Sequence, residues 1–163
     1  MSMATLLLIV TVVLTALIGG LFYAYSCSVV LGLGKLSDTE YLKAMQHINR
    51  EILNPLFFLS FMGTAIFLPV STLVFRGQQP VFIFLLLATL VYLIGVFGVT
   101  AAGNVPLNDQ LDKFDIYHST NDAIQQMRAN FESRWNTLNH VRTVCCVISI
   151  LLAVCACVWH KEG

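Results

Sequence analysis

Long apolar runs separated by polar segments dominate the hydrophobic pattern of this chain. A helix needs about 20 apolar residues to cross the roughly 30 Å of hydrocarbon in a bilayer. Four runs meet that length, at about 4–33, 55–75, 80–103 and 140–159. The pattern therefore predicts an all-α fold, a transmembrane four-helix bundle that forms a single membrane domain over residues 1–163.

The polar connections predict how these helices are arranged. Residues 76–80 form a short polar turn, so the second and third spans should be an antiparallel hairpin. The other two connections are longer and carry helix-start signals, at Ser37 and at Ser119–Thr120. We expect one extension helix to run through 41–53 toward the second span, and the other to lead directly into the fourth.

Composition agrees with a membrane protein. Hydrophobic residues make up 57% of the chain and charged residues only 11%, with a mean hydropathy of +0.77. Soluble domains carry roughly twice that share of charged residues, so a lipid bilayer must cover much of this apolar surface. The formal net charge is zero, which argues against a nucleic-acid partner.

The distribution of basic residues predicts the orientation. Only Arg76 and Lys161 lie on one side, whereas the two longer connections carry Lys35, Lys43, Arg50, Lys113, Arg128, Arg134 and Arg142. Because cytoplasmic loops are enriched in Lys and Arg, the longer connections and their helical extensions should be cytoplasmic. The chain is then a multi-pass protein with both termini on the non-cytoplasmic side.

Three polar clusters, at 45–55, 101–111 and 134–142, fall at this same end of the predicted bundle. Polar and ionisable side chains near hydrocarbon usually face the bundle interior or water. Their candidate site residues, with one tyrosine from the first span, are Tyr25, His47, Asn49, Arg50, Asn54, Asn104, Asn108, Trp135, Asn139, His140 and Arg142.

Helical spacing groups some of these residues. His47, Arg50 and Asn54 fall on one stripe with Glu51, and Trp135, Asn139 and Arg142 fall on another. Thr100, Asn104 and Asn108 would align if the third helix persisted. Pro106 argues against that, so we expect the third span to end near residue 103, capped by the polar segment 103–111.

Simpler roles remain open for these side chains. Arg50 and Arg142 are also suited to anchor the helices at the lipid headgroups. Trp135 fits an aromatic belt at the membrane interface. His47 and His140 are either satisfied by neighbouring amides or, on separate helices at one depth, ligands of a haem iron or of a non-haem iron or copper ion.

Four segments, taken together, resemble the successive motifs of the DUF1772 family, whose named members are anthrone oxygenases. They are GGLFYAYSCSVVLGLGKL (19–36), MQHINREILNPLFF (45–58), GNVPLNDQL (103–111) and WNTLNHVRT (135–143). The resemblance implies a four-helix membrane fold. Where a function is assigned, it implies oxidation of an anthrone to an anthraquinone by O₂, without a flavin or nicotinamide motif.

That chemistry needs a base, a cation or hydrogen-bond donors for an enolate oxygen, and an apolar slot for a flat tricycle. His47 or His140 would supply the base, and Arg50 or Arg142 the cation. The asparagines Asn49, Asn54, Asn104, Asn108 and Asn139 would orient the substrate, and Trp135 or Tyr25 would stack on it.

The sequence thus predicts an anthrone-oxygenase-like membrane protein that oxidises a hydrophobic aromatic or quinol-like small molecule with O₂. The pocket would lie at the cytoplasmic end of the bundle, and no cofactor is predicted. The alternatives are a redox protein holding haem, iron or copper on His47 and His140, and a non-catalytic scaffold or accessory subunit. Homo-oligomerisation is left open.

Overall fold

The computed structural model describes residues 2–160, and in that part of the chain the backbone forms five helical segments without a strand. They are α1 (Met3–Leu33), α2 (Asp38–Glu51), α3 (Pro55–Val74), α4 (Val81–Asp112) and α5 (Asn121–Trp159). All but α2 are long and apolar enough to cross a membrane. The predicted all-α four-helix bundle is confirmed. Lys161, used in the orientation argument, lies outside the described residues.

Both predicted helix starts in the longer connections are confirmed. Ser37 caps α2 in a reciprocal arrangement, in which its Oγ accepts from the Glu40 N–H and the Glu40 carboxylate accepts from the Ser37 N–H at 3.1 Å. Thr120 caps α5 by accepting from the Ala123 N–H. From there α5 runs into the fourth span without a break, as expected.

The expectation that α2 runs on through residue 53 toward the second span is wrong. The helix ends at Glu51, and Asn54 starts α3 by accepting from the N–H groups of Leu56 and Phe57, each at 3.1 Å. Pro55 explains the break, because the residue before a proline is disfavoured in a helix while proline fits the first helical turn.

The expected end of the third span near residue 103 is also wrong, because α4 continues to Asp112. A π-helical turn, Thr100–Asn104, precedes Pro106, and the Val105 N–H bonds to the Thr100 carbonyl five residues back. This shift in hydrogen-bond register puts Pro106 in the first turn of a new α-helical segment, where its missing N–H costs little. The chain therefore keeps its direction through the proline.

Small residues let the spans approach α5 closely. A Cβ added to Gly19 would lie 2.7 Å from Ile150 Cδ1, and one added to Gly103 would lie 2.9 Å from Leu138 Cδ1. In lipid, where apolar surface gains little from helix contact, such close packing drives association. Hydrogen bonds between spans add to it, among them Tyr92 Oη to the Phe61 carbonyl at 2.8 Å.

A separate core joins α2 to the bundle end formed by α4 and α5. Its buried members include Tyr41, Leu42, Met45, Leu107, Leu111, Phe131 and Trp135. Gln46 Nε2 donates to the carbonyls of Leu111 and Phe114, at 2.8 and 3.0 Å. These contacts hold α2 over one end of the four spans, and the candidate site lies beneath it.

Candidate functional site

A cavity of about 580 Å³ lies where α2 covers the bundle, counting the part open to the surroundings. All five helical segments, or the residues directly following them, contribute to its wall. Seven of the eleven predicted site residues line it: Tyr25, Asn49, Asn104, Asn108, Trp135, Asn139 and Arg142. The structure thus brings together side chains that lie up to 117 positions apart in the sequence.

The buried guanidinium of Arg142 is the main charge in this wall. Arg142 is 5% exposed, and its Nη2 donates to Asn139 Oδ1 at 3.0 Å. Its Cζ lies 4.3 Å from the ring centre of Phe22 and 5.5 Å from that of Trp135. Within residues 2–160, no carboxylate lies at ion-pair distance from it, and its Nε has no hydrogen-bond partner. The cation is held by aromatic faces and neutral groups, so it can still bind an anion.

Asn104 is a second buried group with unused hydrogen-bonding capacity. It is 1% exposed, and neither its Oδ1 nor its Nδ2 has a protein partner. The Nδ2 of Asn49, across the cavity on α2, is also buried without one. Buried polar atoms nearly always have partners, because leaving one unpaired costs about 1–3 kcal/mol. These two side chains, on opposite sides of the cavity, therefore leave hydrogen-bonding groups that a polar ligand could use.

Backbone and hydroxyl groups of α1 position Asn139. The Phe22 carbonyl, just before the π-helical segment Tyr25–Val29, accepts from Asn139 Nδ2 at 3.3 Å and from Thr143 Oγ1 at 3.0 Å. The Asn139 amide nitrogen also donates to Ser26 Oγ at 2.9 Å. Asn139 is therefore fixed through its amide nitrogen, and its oxygen is directed to Arg142.

Aromatic and aliphatic side chains form the rest of the wall. Trp135 Nε1 donates to Asn108 Oδ1 at 2.9 Å, and the Tyr25 ring centre lies 5.7 Å from that of Trp135. The remaining apolar lining consists of Leu21, Phe22, Ile48, Ile52, Leu53, Phe57 and Val105. The cavity therefore combines an apolar, partly aromatic surface with a few polar groups that can orient a ligand.

Four predicted site residues do not line this cavity. His47 is exposed. His140 is exposed too, with its Nδ1 3.2 Å from Ser26 Oγ. Arg50 forms a half-exposed ion pair with Asp112 at 2.6 Å, and Asn54 caps α3. Neither histidine lies on the cavity wall, and Arg142 is the one predicted cation that does.

Metal ligation was the rival interpretation of the histidines. Over the residues that the structure describes, no three His, Cys, Asp or Glu side chains are grouped as metal ligands would be. The cavity wall offers amides, a guanidinium and hydroxyls instead. A haem, iron or copper site on His47 and His140 stays a prediction.

Sequence reasoning gave no role to Phe22, whose ring and carbonyl contact Arg142 and Asn139. It named Thr100 only through its alignment with Asn104 and Asn108. The Thr100 hydroxyl accepts a long hydrogen bond from Arg142 Nη1, at 3.4 Å. The four-residue spacing of Thr100, Asn104 and Asn108 was the usable signal, since α4 does persist through this segment.

The fold and the cavity define a class: a helical membrane protein with a buried cation and an amide-lined pocket at one end of a four-span bundle. The chain belongs to the anthrone oxygenase family, whose family model matches residues 44–152, or 109 of the 163 residues. No curated protein and no solved structure matches the chain. The matched segment contains every predicted site residue except Tyr25, and it makes this an oxygenase-like membrane protein at the level of the family.

Proposed function

We propose that the cavity binds a flat aromatic ketone of the anthrone type and promotes its oxidation by O₂. The observation that carries the proposal is Arg142, a buried guanidinium without a carboxylate partner in the described part of the chain. A desolvated cation with free donor capacity stabilises an enolate oxygen far better than water does. Trp135 and Tyr25 offer ring faces to the tricycle, and Asn104 and Asn49 offer hydrogen bonds to its polar substituents.

The reaction follows from the acidity of the substrate. Loss of a proton from the anthrone CH₂ leaves an enolate whose charge rests on the carbonyl oxygen. The enolate passes one electron to O₂, and the resulting superoxide combines with the carbon radical to give a hydroperoxide after protonation. Loss of water then forms the second carbonyl, so one O₂ is consumed and one H₂O released for each anthraquinone formed.

Arg142 rather than a histidine carries this proposal. Its charge lowers the pKa of the bound CH₂ because it favours the enolate over the neutral ketone. The cavity lining contains no imidazole and no carboxylate among the described residues. The proton then passes to water at the open side of the cavity, and the base role predicted for His47 or His140 is not needed.

The basic residues of the longer connections support a cytoplasmic location for this end of the bundle. The substrate would then be bound and oxidised at the cytoplasmic face. Labelling of Thr120→Cys, in a protein whose five native cysteines are replaced by serine, tests this in intact and in lysed cells. We expect an impermeant thiol reagent to react only after lysis. Labelling in intact cells would contradict the assignment.

Quinone formation and O₂ uptake by the protein in lipid nanodiscs test the function, with empty nanodiscs as the control for spontaneous oxidation. We expect Arg142→Met to lower the catalysed rate by about 10²–10³, the usual effect of losing an oxyanion donor. Arg134→Met, an exposed arginine on the same helix, is the matched control and should keep the wild-type rate.

The same assay distinguishes proton transfer to water from proton transfer to a histidine. We expect the double variant His47→Ala/His140→Ala to stay within a few-fold of wild type. A loss of about 10²–10⁴ in that variant, the usual contribution of a general base, would instead assign the proton transfer to a histidine. Wild-type protein without any catalysed rate would overturn the proposal.

A further inference from the structure

A second depression lies between α1 and α3, on the side of the bundle that faces lipid. It is lined by Leu17, Leu21, Ile52, Asn54, Leu56, Phe57, Leu59 and Ser60. Three of these side chains, Leu21, Ile52 and Phe57, also line the candidate cavity. We call this depression the lateral groove; it adjoins the cavity along these three shared side chains.

The lateral groove lies at the cavity end of the second span, where α3 begins at Pro55. Its outer residues are strongly exposed: Leu17 is 60%, Leu56 79% and Leu59 62% exposed. Since these leucines belong to segments that span the membrane, the bilayer is what covers them. The groove therefore opens to lipid close to the interface, the depth at which flat amphipathic rings collect.

A polar depression between α2 and α4 also adjoins the cavity. This polar mouth is lined by Asn49, Arg50, Leu53, Val105, Asn108, Asp109 and Asp112, four of which also line the cavity. The half-exposed ion pair of Arg50 and Asp112 stands at its rim. Charged groups suit a route for water and protons and disfavour passage of an apolar tricycle.

We infer that the hydrophobic aromatic substrate enters the cavity from the bilayer through the lateral groove, past Phe57. Phe57 belongs to both walls, is half-buried, and stacks on Phe61 with 5.2 Å between ring centres. The proposed route requires this side chain to move aside. Protons and water use the polar mouth instead. This inference rests on the proposed function for the identity of the substrate, but the route itself can be tested without turnover.

Trp135 provides the readout, because it lines the cavity and the chain has one other tryptophan, Trp159. In a Trp159→Phe protein in lipid nanodiscs, Trp135 fluorescence is quenched either by iodide from the water or by a small hydrophobic nitroxide dissolved in the bilayer. The double variant Leu17→Phe/Leu59→Phe fills the groove without altering a cavity residue. Val13→Phe/Leu73→Phe, on exposed positions of the same helices outside the groove, is the matched control.

We expect filling the groove to lower the nitroxide quenching constant several-fold and to leave iodide quenching unchanged, with the control variant like the parent. Equal nitroxide quenching in the filled and parent proteins would overturn the route. So would equally strong quenching by a nitroxide fixed to a phospholipid acyl chain, which would mean that a lipid tail occupies the groove. If the quenching pattern holds while anthrone is not oxidised, the route stands and the proposed chemistry fails.

Discussion

Two largely buried arginines on α5, Arg128 and Arg142, differ in the groups that surround their charge. The Arg128 side chain is 13% exposed and pairs with Asp38 at 2.9 Å and Glu132 at 2.7 Å. It also donates to the carbonyls of Leu36 and Gly34. Arg142 is more deeply buried, and among the described residues neither a carboxylate nor a backbone carbonyl pairs with it. Its partners are the side-chain oxygen of Asn139, the Thr100 hydroxyl at long range and two ring faces.

The difference separates the structural role of Arg128 from the binding role that we propose for Arg142. Arg128 joins α5 to the start of α2 and to the turn before it, and its N–H groups donate to partners within the protein. Arg142 bears the desolvation cost of a buried cation without the compensation of an ion pair. A cost left uncompensated in the folded chain is one that a bound anion can offset, and this is why the proposed function rests on Arg142 and not on Arg128.

The largest effect on stability should come from Arg128. We expect Arg128→Met to lower the free energy of unfolding by about 2–3 kcal/mol, because it removes charge-assisted hydrogen bonds to partly buried carboxylates. Arg142→Met should leave stability unchanged or raise it, since an apolar chain replaces an unpaired buried cation. Thermal unfolding of both variants in the same detergent checks this, and a larger loss for Arg142→Met would contradict the comparison.

Replacing Asn104 should likewise affect ligand binding without lowering stability. We expect Asn104→Leu to be at least as stable as wild type, because it removes two buried polar atoms that have no partner. Affinity for an anthraquinone ligand should fall roughly tenfold, the effect of losing one or two ligand hydrogen bonds at about 1 kcal/mol each. Calorimetric binding checks the affinity. Asn136→Leu on the neighbouring face of α5, outside the cavity lining, is the control and should bind normally.

The smallest effect should come from the exposed pair of Arg50 and Asp112. We expect Arg50→Ala to change stability by less than about 1 kcal/mol, because both side chains are half-exposed and water screens the pair. Its effect on the oxidation rate should be small as well. A rate loss as large as that of Arg142→Met would contradict the assignment of the enolate-stabilising cation to Arg142 alone.

The sequence was sufficient for the fold because apolar run length decides which segments span a bilayer, and local capping chemistry at Ser37 and Thr120 decides where helices start. It was not sufficient for the course of α4. A π-turn shifts hydrogen-bond register by one residue, and apolar periodicity does not reveal where such a shift accommodates a proline.

The rotation of each helix about its axis determines which residues of a polar cluster line the cavity, and the sequence does not reveal that rotation. Successive residues turn by about 100° around a helix, so a cluster of polar residues does not say which member faces inward. Asn49 lines the cavity while His47 is exposed, and Asn139 lines it while the adjacent His140 does not. The stripe of Trp135, Asn139 and Arg142 lies on the wall because its spacing matches the face that α5 turns toward α1 and α4.

The acidity of bound anthrone tests the central claim most directly. Under argon, where oxidation cannot proceed, the absorbance of the enolate reports the pKa of the CH₂ group in free and in protein-bound substrate. We expect binding to wild-type protein to lower this pKa by about 2 pH units, because Arg142 stabilises the anion. In Arg142→Met the bound pKa should return to or exceed the free value. A pKa that is unchanged on binding to wild type, or lowered equally in the variant, would contradict the account.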